Sequence, residues 1–424
     1  SYNVAVGYAA GAAVTTGTFN VLLGATSGDA LTDADFNVAV GYSALGTDTL
    51  GSRSVAVGHS ALNNQNFTTA TDSYNTALGF FAGLAVTTGT FNTIIGGLAG
   101  DALTDADENV AVGAVALSTD TLGSRSTAVG RSALATQNFT TATNVYNTGL
   151  GYAAGSLITT GVRNTAVGGL ALQNETLGTN NVAVGYAALN TQNFTTATDV
   201  YNVAVGSLAG LSVTTGFYNT IVGALAADAL TTGRNNVAIG TSALSTDVAG
   251  QRSVAIGTDA LGGQNFTTAT DSYNTAVGTS AGQAVTTGVD NTLIGGLSGD
   301  AITDADFNVA VGNSSLSANT VGSRNTAIGS SALLVMNPST ATDTYNTAVG
   351  YHAGRLVTTG VNNTIVGSLA GDAMTTGSNN TFVGISASGN GVLTGDNNTS
   401  LGVFAGGNLR AGANNSFLGH DAGV

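Results

Sequence analysis

Residues 3–7 read Asn3-Val4-Ala5-Val6-Gly7, and residues 75–79 read Asn75-Thr76-Ala77-Leu78-Gly79. This five-residue phrase occurs 24 times in the 424 residues. Successive copies lie 17, 17, 17 and 21 residues apart, which makes a super-repeat of 72. The super-repeats run 3–74, 75–146, 147–201, 202–273, 274–345 and 346–424; the third is one unit short and the last is degenerate. The first position is Asn except at Ser54, Ser126 and Ser253. The second is Val or Thr in every copy but the last, which has Ser416. The fourth is always Val, Ile or Leu, and the fifth is always Gly.

β-Branched residues favour an extended backbone, and Asn and Gly favour the corners on either side of it. Each unit is therefore a short strand between corners. A second short strand is expected near the "VTTG" or "ALTD" portion of the unit. A unit of this size cannot bury an apolar face alone, but stacked units can. The fold expected is all-β: a parallel β-solenoid or β-roll of about 24 coils, with 17-residue coils and a 21-residue coil every fourth. At about 4.8 Å per coil the single repetitive rod would be roughly 115 Å long. Helix is disfavoured by 61 glycines and the abundance of Val and Thr. The recurrent Asn should stack into an amide ladder.

Side chains alternate across a strand. The fourth position, always aliphatic, is assigned to the interior, which turns the third position outward. That row includes Ala5, Leu22, Ala39, Ala77, Ile94, Ala111, Ile221 and Leu293. An apolar row of this length on the surface reads as a subunit interface. A cramped corner inside the same chain is the alternative.

The phrases "NVAVG", "SVAVG", "NTAIG" and "SVAIG", each followed shortly by Ser-Ala or Ala-Ala, resemble the head-domain repeats of trimeric autotransporter adhesins. Similar runs occur in phage tail-fibre proteins. The resemblance spans the chain and implies a left-handed parallel β-roll, three chains side by side and a surface or fibre role. The 17- and 21-residue coils are longer than that adhesin repeat.

Charged residues make up 8% of the chain, and all nine basic residues are Arg. With a net charge of -15 no basic patch can form, so nucleic acid is not an expected partner. The absence of Cys removes disulfides and thiolate chemistry. No apolar run is long enough for a membrane helix. Both ends fall inside the repeat, so the chain reads as a segment of a longer one. Open end coils would allow end-to-end self-association.

Candidate sites follow the periodicity. The 21-residue coils carry "QNFTTAT" loops containing Phe67, Phe139, Phe194 and Phe266. These rings either project as a periodic row of contacts for a receptor or glycan, or fold back over the coil. Asn66, Asn138, Asn193 and Asn265 open Asn-Phe-Thr sequons. Three acidic clusters are candidate Ca²⁺ ligands: Asp29, Asp33 and Asp35; Asp101, Asp105 and Asp107; Asp300, Asp304 and Asp306. Solvated turn acids are the simpler reading, because the spacing matches no known calcium loop. Arg53, Arg125 and Arg252 are each expected to pair with the acid five residues earlier, Asp48, Asp120 or Asp247. Thr pairs in "VTTG" raise ice binding, but they recur too irregularly for a lattice template. His59, His352 and His420 have no partners at metal-ligand or triad spacing. The sequence therefore points to an extracellular, cell-surface or virion-surface fibre segment. No cofactor and no catalysis are expected.

Overall fold

The computed structural model describes residues 2–424. Among these there is no α-helix, and the chain is a parallel β-solenoid. It divides into two compact units, residues 1–215 and 216–424. Each unit contains twelve three-residue strands, one per phrase. In the first unit Val4–Val6 pairs with Val21–Leu23 and that strand with Val38–Val40, every phrase in register with the next. In the second, Thr220–Val222 pairs with Val237–Ile239, and so on to Ser416–Leu418. All these pairings are parallel, because each coil repeats the direction of the one before.

The second strands lie elsewhere than expected. They are two-residue segments found only where a 21-residue coil meets its predecessor. Gly51–Ser52 pairs with Thr71–Asp72, Gly123–Ser124 with Thr143–Asn144, and Gly250–Gln251 with Thr270–Asp271. The "VTTG" and "ALTD" segments are bends, joined from coil to coil by bonds such as those of Thr15 N–H and Gly17 N–H to the Thr32 carbonyl, 2.9 and 3.2 Å.

The facing of the strand is opposite to the sequence expectation. Leu22, Ala39, Ala77, Ile94, Ala111, Ile221 and Leu293 are completely buried within their own coils. Ala5, on the first strand, is exposed. The phrase Asn is itself turned inward, so alternation places the third residue inside and the second and fourth outside. The third-position row is thus core and cannot be a subunit interface.

That core is filled by size complementarity. Where the third residue is Ala, as at Ala39, Ala56, Ala111 and Ala128, a buried Leu often stands six residues on: Leu45, Leu62, Leu117 and Leu134. Where the third residue is large, as at Leu22, Ile94 and Leu293, the same place holds Gly28, Gly100 or Gly299. A Cβ on Gly28 would lie 2.8 Å from Leu22 Cδ2. Gly28 and Leu45 share nearly one backbone conformation, φ +55° and +52°, so the exchange is one of volume.

Leu22→Ala alone is expected to cost about 3 kcal/mol, as a buried cavity does. Adding Gly28→Leu should restore part of the loss by refilling the space left by Leu22, with Leu31 Cδ1, 2.9 Å from the added Cβ, shifting to make room. Urea midpoints of the single and double variants check this; a double variant less stable than the single would refute the compensation.

Candidate functional site

The phrase Asn holds consecutive coils together. Asn20 N–H donates to Asn3 Oδ1 at 2.8 Å, and Asn37 N–H to Asn20 Oδ1 at 2.9 Å. The same side chains donate through Nδ2 to corner carbonyls, Asn20 to Ala34 at 2.7 Å and Asn37 to Gly51 at 2.9 Å. The ladder is therefore chiefly amide to backbone, and it satisfies donors and acceptors that would otherwise be buried unpaired at the corner.

The wide coils contain a cluster that the sequence reading missed. Asp48 is buried and does not pair with Arg53. Its Oδ1 accepts from Gly51 N–H at 3.0 Å and Phe67 N–H at 3.1 Å, and its Oδ2 accepts from Gln65 Nε2 at 2.6 Å. Gln65 also donates to Ser54 Oγ at 2.9 Å and accepts from Asn75 Nδ2 at 2.9 Å. Gln65 thereby joins the Asn ladder across the coil where Ser54 replaces Asn. Asp120 with Gln137, and Asp247 with Gln264, repeat the arrangement, and Glu175 with Gln192 is a variant of it. In the fifth wide coil Asn319 replaces the carboxylate and buried Met336 replaces the amide, so the charge and its donor disappear together. The readable signal was this joint change at two positions 17 residues apart.

Phe67, Phe139, Phe194 and Phe266 fold back over these clusters and are only 5–7% exposed. A Cβ on Gly51 would meet Phe67 Cδ2 at 2.7 Å. The rings cover the core and do not form a row of surface contacts, because burial of an aromatic face outweighs its projection into water.

The Arg side chains instead bridge coils: Arg53 pairs with Asp72 at 2.9 Å, Arg125 with Glu108 at 3.0 Å and Arg252 with Asp271 at 3.2 Å. All these pairs are substantially exposed, and such pairs add little stability. The Arg53 guanidinium also lies over the rings of Phe36 and Tyr74. Phe36 belongs to an exposed stack that continues through Phe19 to Tyr2.

The acidic clusters are not assembled into cation sites. Asp35 Oδ1 accepts from Thr18 N–H at 2.6 Å and Thr18 Oγ1 at 2.8 Å, and Asp33 accepts from Thr16. Asp107 likewise serves Thr90, Asp105 serves Thr88 and Asp306 serves Val289 N–H. Asp304 accepts from Thr303, and Asp300 from Ser317. Asp101 is pushed above the ordinary carboxylate range by burial, with Oδ1 unpartnered. Asp29 is half-buried in the equivalent place. Among the described residues no three acids or histidines come together around one point.

The Thr row is more regular than the sequence suggested, but its hydroxyls are engaged. Thr15 Oγ1 donates to the Thr32 carbonyl and Thr32 Oγ1 to the Thr49 carbonyl, both at 3.1 Å. His59 lies between Tyr42 and Phe80, and His352 stacks on Tyr351.

What remains on the surface is the outer sheet face. Its fourth-position row is entirely aliphatic, from Leu23, Val40 and Val57 through Val112 and Val129 in the first unit, and from Val222 and Ile239 onward in the second. All these residues are half-exposed or exposed. The second-position row beside it is Val and Thr with one Ser, and neither row contains a charge. No helix among the described residues is long and apolar enough to cross a membrane. No protein-family model matches the chain, and no curated protein matches it in sequence.

Two outcomes are expected for the buried cluster. Gln264→Met alone should destabilise the chain by about 2–3 kcal/mol, because the Asp247 carboxylate loses a buried donor. Asp247→Asn and Ser253→Asn added to it should recover stability, as in the natural coil where Asn319, Met336 and Asn325 occur together; greater loss in the triple variant would count against the pairing. The second outcome concerns pH. Burial pushes the Asp247 carboxyl up, against its hydrogen bonds from Gln264 and the Phe266 and Gly250 amides. The folded state then binds the proton more tightly than the unfolded state, so the contribution of Asp247 is fully favourable below about pH 3.9 and is lost as pH rises through the raised folded value. The stability of the parent relative to Asp247→Asn should therefore increase on acidification from neutrality. A flat or opposite difference in urea midpoints would contradict the assignment.

Proposed function

We propose that the chain is a structural and adhesive segment of an extracellular fibre. In this reading several copies, three by the resemblance to adhesin heads, pack side by side as left-handed rolls. The observation that carries the proposal is the uncharged outer sheet face. In each unit its two outward rows make a strip roughly 60 Å long and 10 Å wide. That area is on the order of 600 Å², near one partner's share of a stable interface, and its fourth-position half is aliphatic throughout. A second copy of the same face would cover it, and the periodicity would bring aliphatic rows together in register.

The periodic placement of nearly every polar feature supports a mechanical role, since each coil adds reach and each buried amide adds coil-to-coil bonds. Attachment to a surface receptor or glycan would then use the sides left open by self-association, where the exposed aromatic and Arg row lies. The same architecture suits a phage tail or capsid fibre on a virion surface. It equally suits a filament subunit that stacks end to end.

Light scattering tests the side-by-side assembly. The expected mass is three times the 41.4 kDa of one chain and independent of dilution. Val129→Glu combined with Ile256→Glu should reduce it to a single chain with the circular dichroism of the parent, since both residues face outward. A parent that is monomeric at every concentration would sink the proposal, and open-ended growth would favour the filament.

A further inference from the structure

The wide coils present a second feature, independent of assembly. We propose that Asn66, Asn138, Asn193 and Asn265 are acceptor sites for N-linked sugar, each occupied while its coil is closed. Each opens an Asn-Phe-Thr tripeptide, the acceptor pattern for amide glycosylation. The structure divides the labour among the three residues. The Phe is buried and anchors the tripeptide. The Asn and the Thr two residues later, Thr68, Thr140, Thr195 or Thr267, are exposed. The carbonyl end of the Asn amide is held by the preceding coil: Thr49 Oγ1 donates to Asn66 Oδ1 at 3.1 Å, Thr121 Oγ1 to Asn138 Oδ1 at 3.3 Å and Thr176 Oγ1 to Asn193 Oδ1 at 2.8 Å. Val248 replaces that Thr before Asn265. With Oδ1 held in three of the four sites and the residue exposed, Nδ2 is the end presented to solvent.

The same pattern opens at Asn174, Asn313, Asn362, Asn379, Asn397, Asn398 and Asn414. Several of these asparagines are exposed, but none has the buried Phe that anchors the wide-coil tripeptides. Two positions show further that the motif alone is insufficient. Asn398-Thr399-Ser400 fits the pattern, but Asn398 is buried, and its Nδ2 donates to Asn380 Oδ1 at 3.1 Å and to the Gly412 carbonyl at 2.9 Å. A sugar there would break the Asn ladder. Asn337 occupies the wide-coil position and its Oδ1 accepts from Thr320 Oγ1 at 2.7 Å, but Pro338 follows it and closes the motif. The donor is a sugar activated at its anomeric carbon as a pyrophosphate ester, on either a polyprenyl lipid or a nucleotide. The bond formed joins Asn Nδ2 to the anomeric carbon. The bond broken is the anomeric carbon–oxygen bond to the pyrophosphate, which leaves with the electron pair, and one amide proton is released. Asn66 and Asn138 lie four coils apart, so attached sugars would recur at about 19 Å along that side of the first unit.

The test has two arms, both using the full chain. In one, the chain is secreted from a eukaryotic cell, which supplies the lipid-linked donor. In the other, the purified folded chain is incubated with UDP-glucose and a soluble N-glycosyltransferase. Intact mass and glycopeptide mapping are read in both. The expected result in at least one arm is a mass above 41.4 kDa, with sugar mapped to these four asparagines and Asn398 unmodified. The responding arm identifies the donor. Asn66→Gln, Asn138→Gln, Asn193→Gln and Asn265→Gln combined should abolish the mapped sugar, and Pro338→Phe should add one site at Asn337. A mass of 41.4 kDa in both arms, or sugar mapped only to other asparagines, would overturn the proposal.

Discussion

A buried asparagine amide bridging one coil to the next is the interaction on which the structure depends. A coil of 17 residues must turn sharply several times, and each turn leaves backbone groups without a strand partner. The Asn side chain answers two of these needs at once, accepting the next Asn N–H and donating to the next corner carbonyl. Because the same residue recurs in the next coil, each bond is repeated along the stack. Turning Asn inward also fixes the parity of the strand: the third residue fills the coil, and the second and fourth face out.

The invariant glycine follows from the same close stacking. At Gly58 the backbone has φ +138°, and an added Cβ would lie 2.2 Å from the Gly79 carbonyl oxygen of the next coil. Neither the conformation nor the space admits a side chain. Elsewhere the stack tolerates left-handed corners without glycine. Phe19, Phe36 and Arg53 have φ near +60°, and the strain is offset by bonds such as Arg53 N–H to the Asp35 carbonyl at 3.0 Å and by stacking of the side chains.

The wide coil shows how the rule is suspended. Where Ser54 replaces Asn, the ladder would lose an amide, and Gln65, at the position that Asp48 holds in the preceding coil, supplies one. Gln65 needs an acceptor for its remaining proton, and Asp48 provides it while also taking up two backbone donors. Phe67 then closes the cluster from water. The added residues form the exposed Thr-rich tip, and the tip is tied down because Gln65 and Phe67 just before it are core.

The repeat itself was fully legible in the sequence. Invariant spacing, an Asn or Ser before a β-branched strand and a Gly after it permit little other than stacked parallel coils, because short identical units can bury apolar surface only against their own neighbours. The facing of the strand was not legible. Residues such as Leu22 and Leu23 are both aliphatic, and which one enters the coil depends on where the Asn amide goes, a decision made by hydrogen bonds to other coils. The roles of Asp48 and Phe67 were hidden for the same reason. Local sequence placed a carboxylate near an Arg and a ring in a polar loop, whereas the partners that decide their positions lie about 17 residues away, one coil along the stack. Periodicity along the chain thus determined the architecture, and only contacts across the stack decided which side of each strand is core and which is surface.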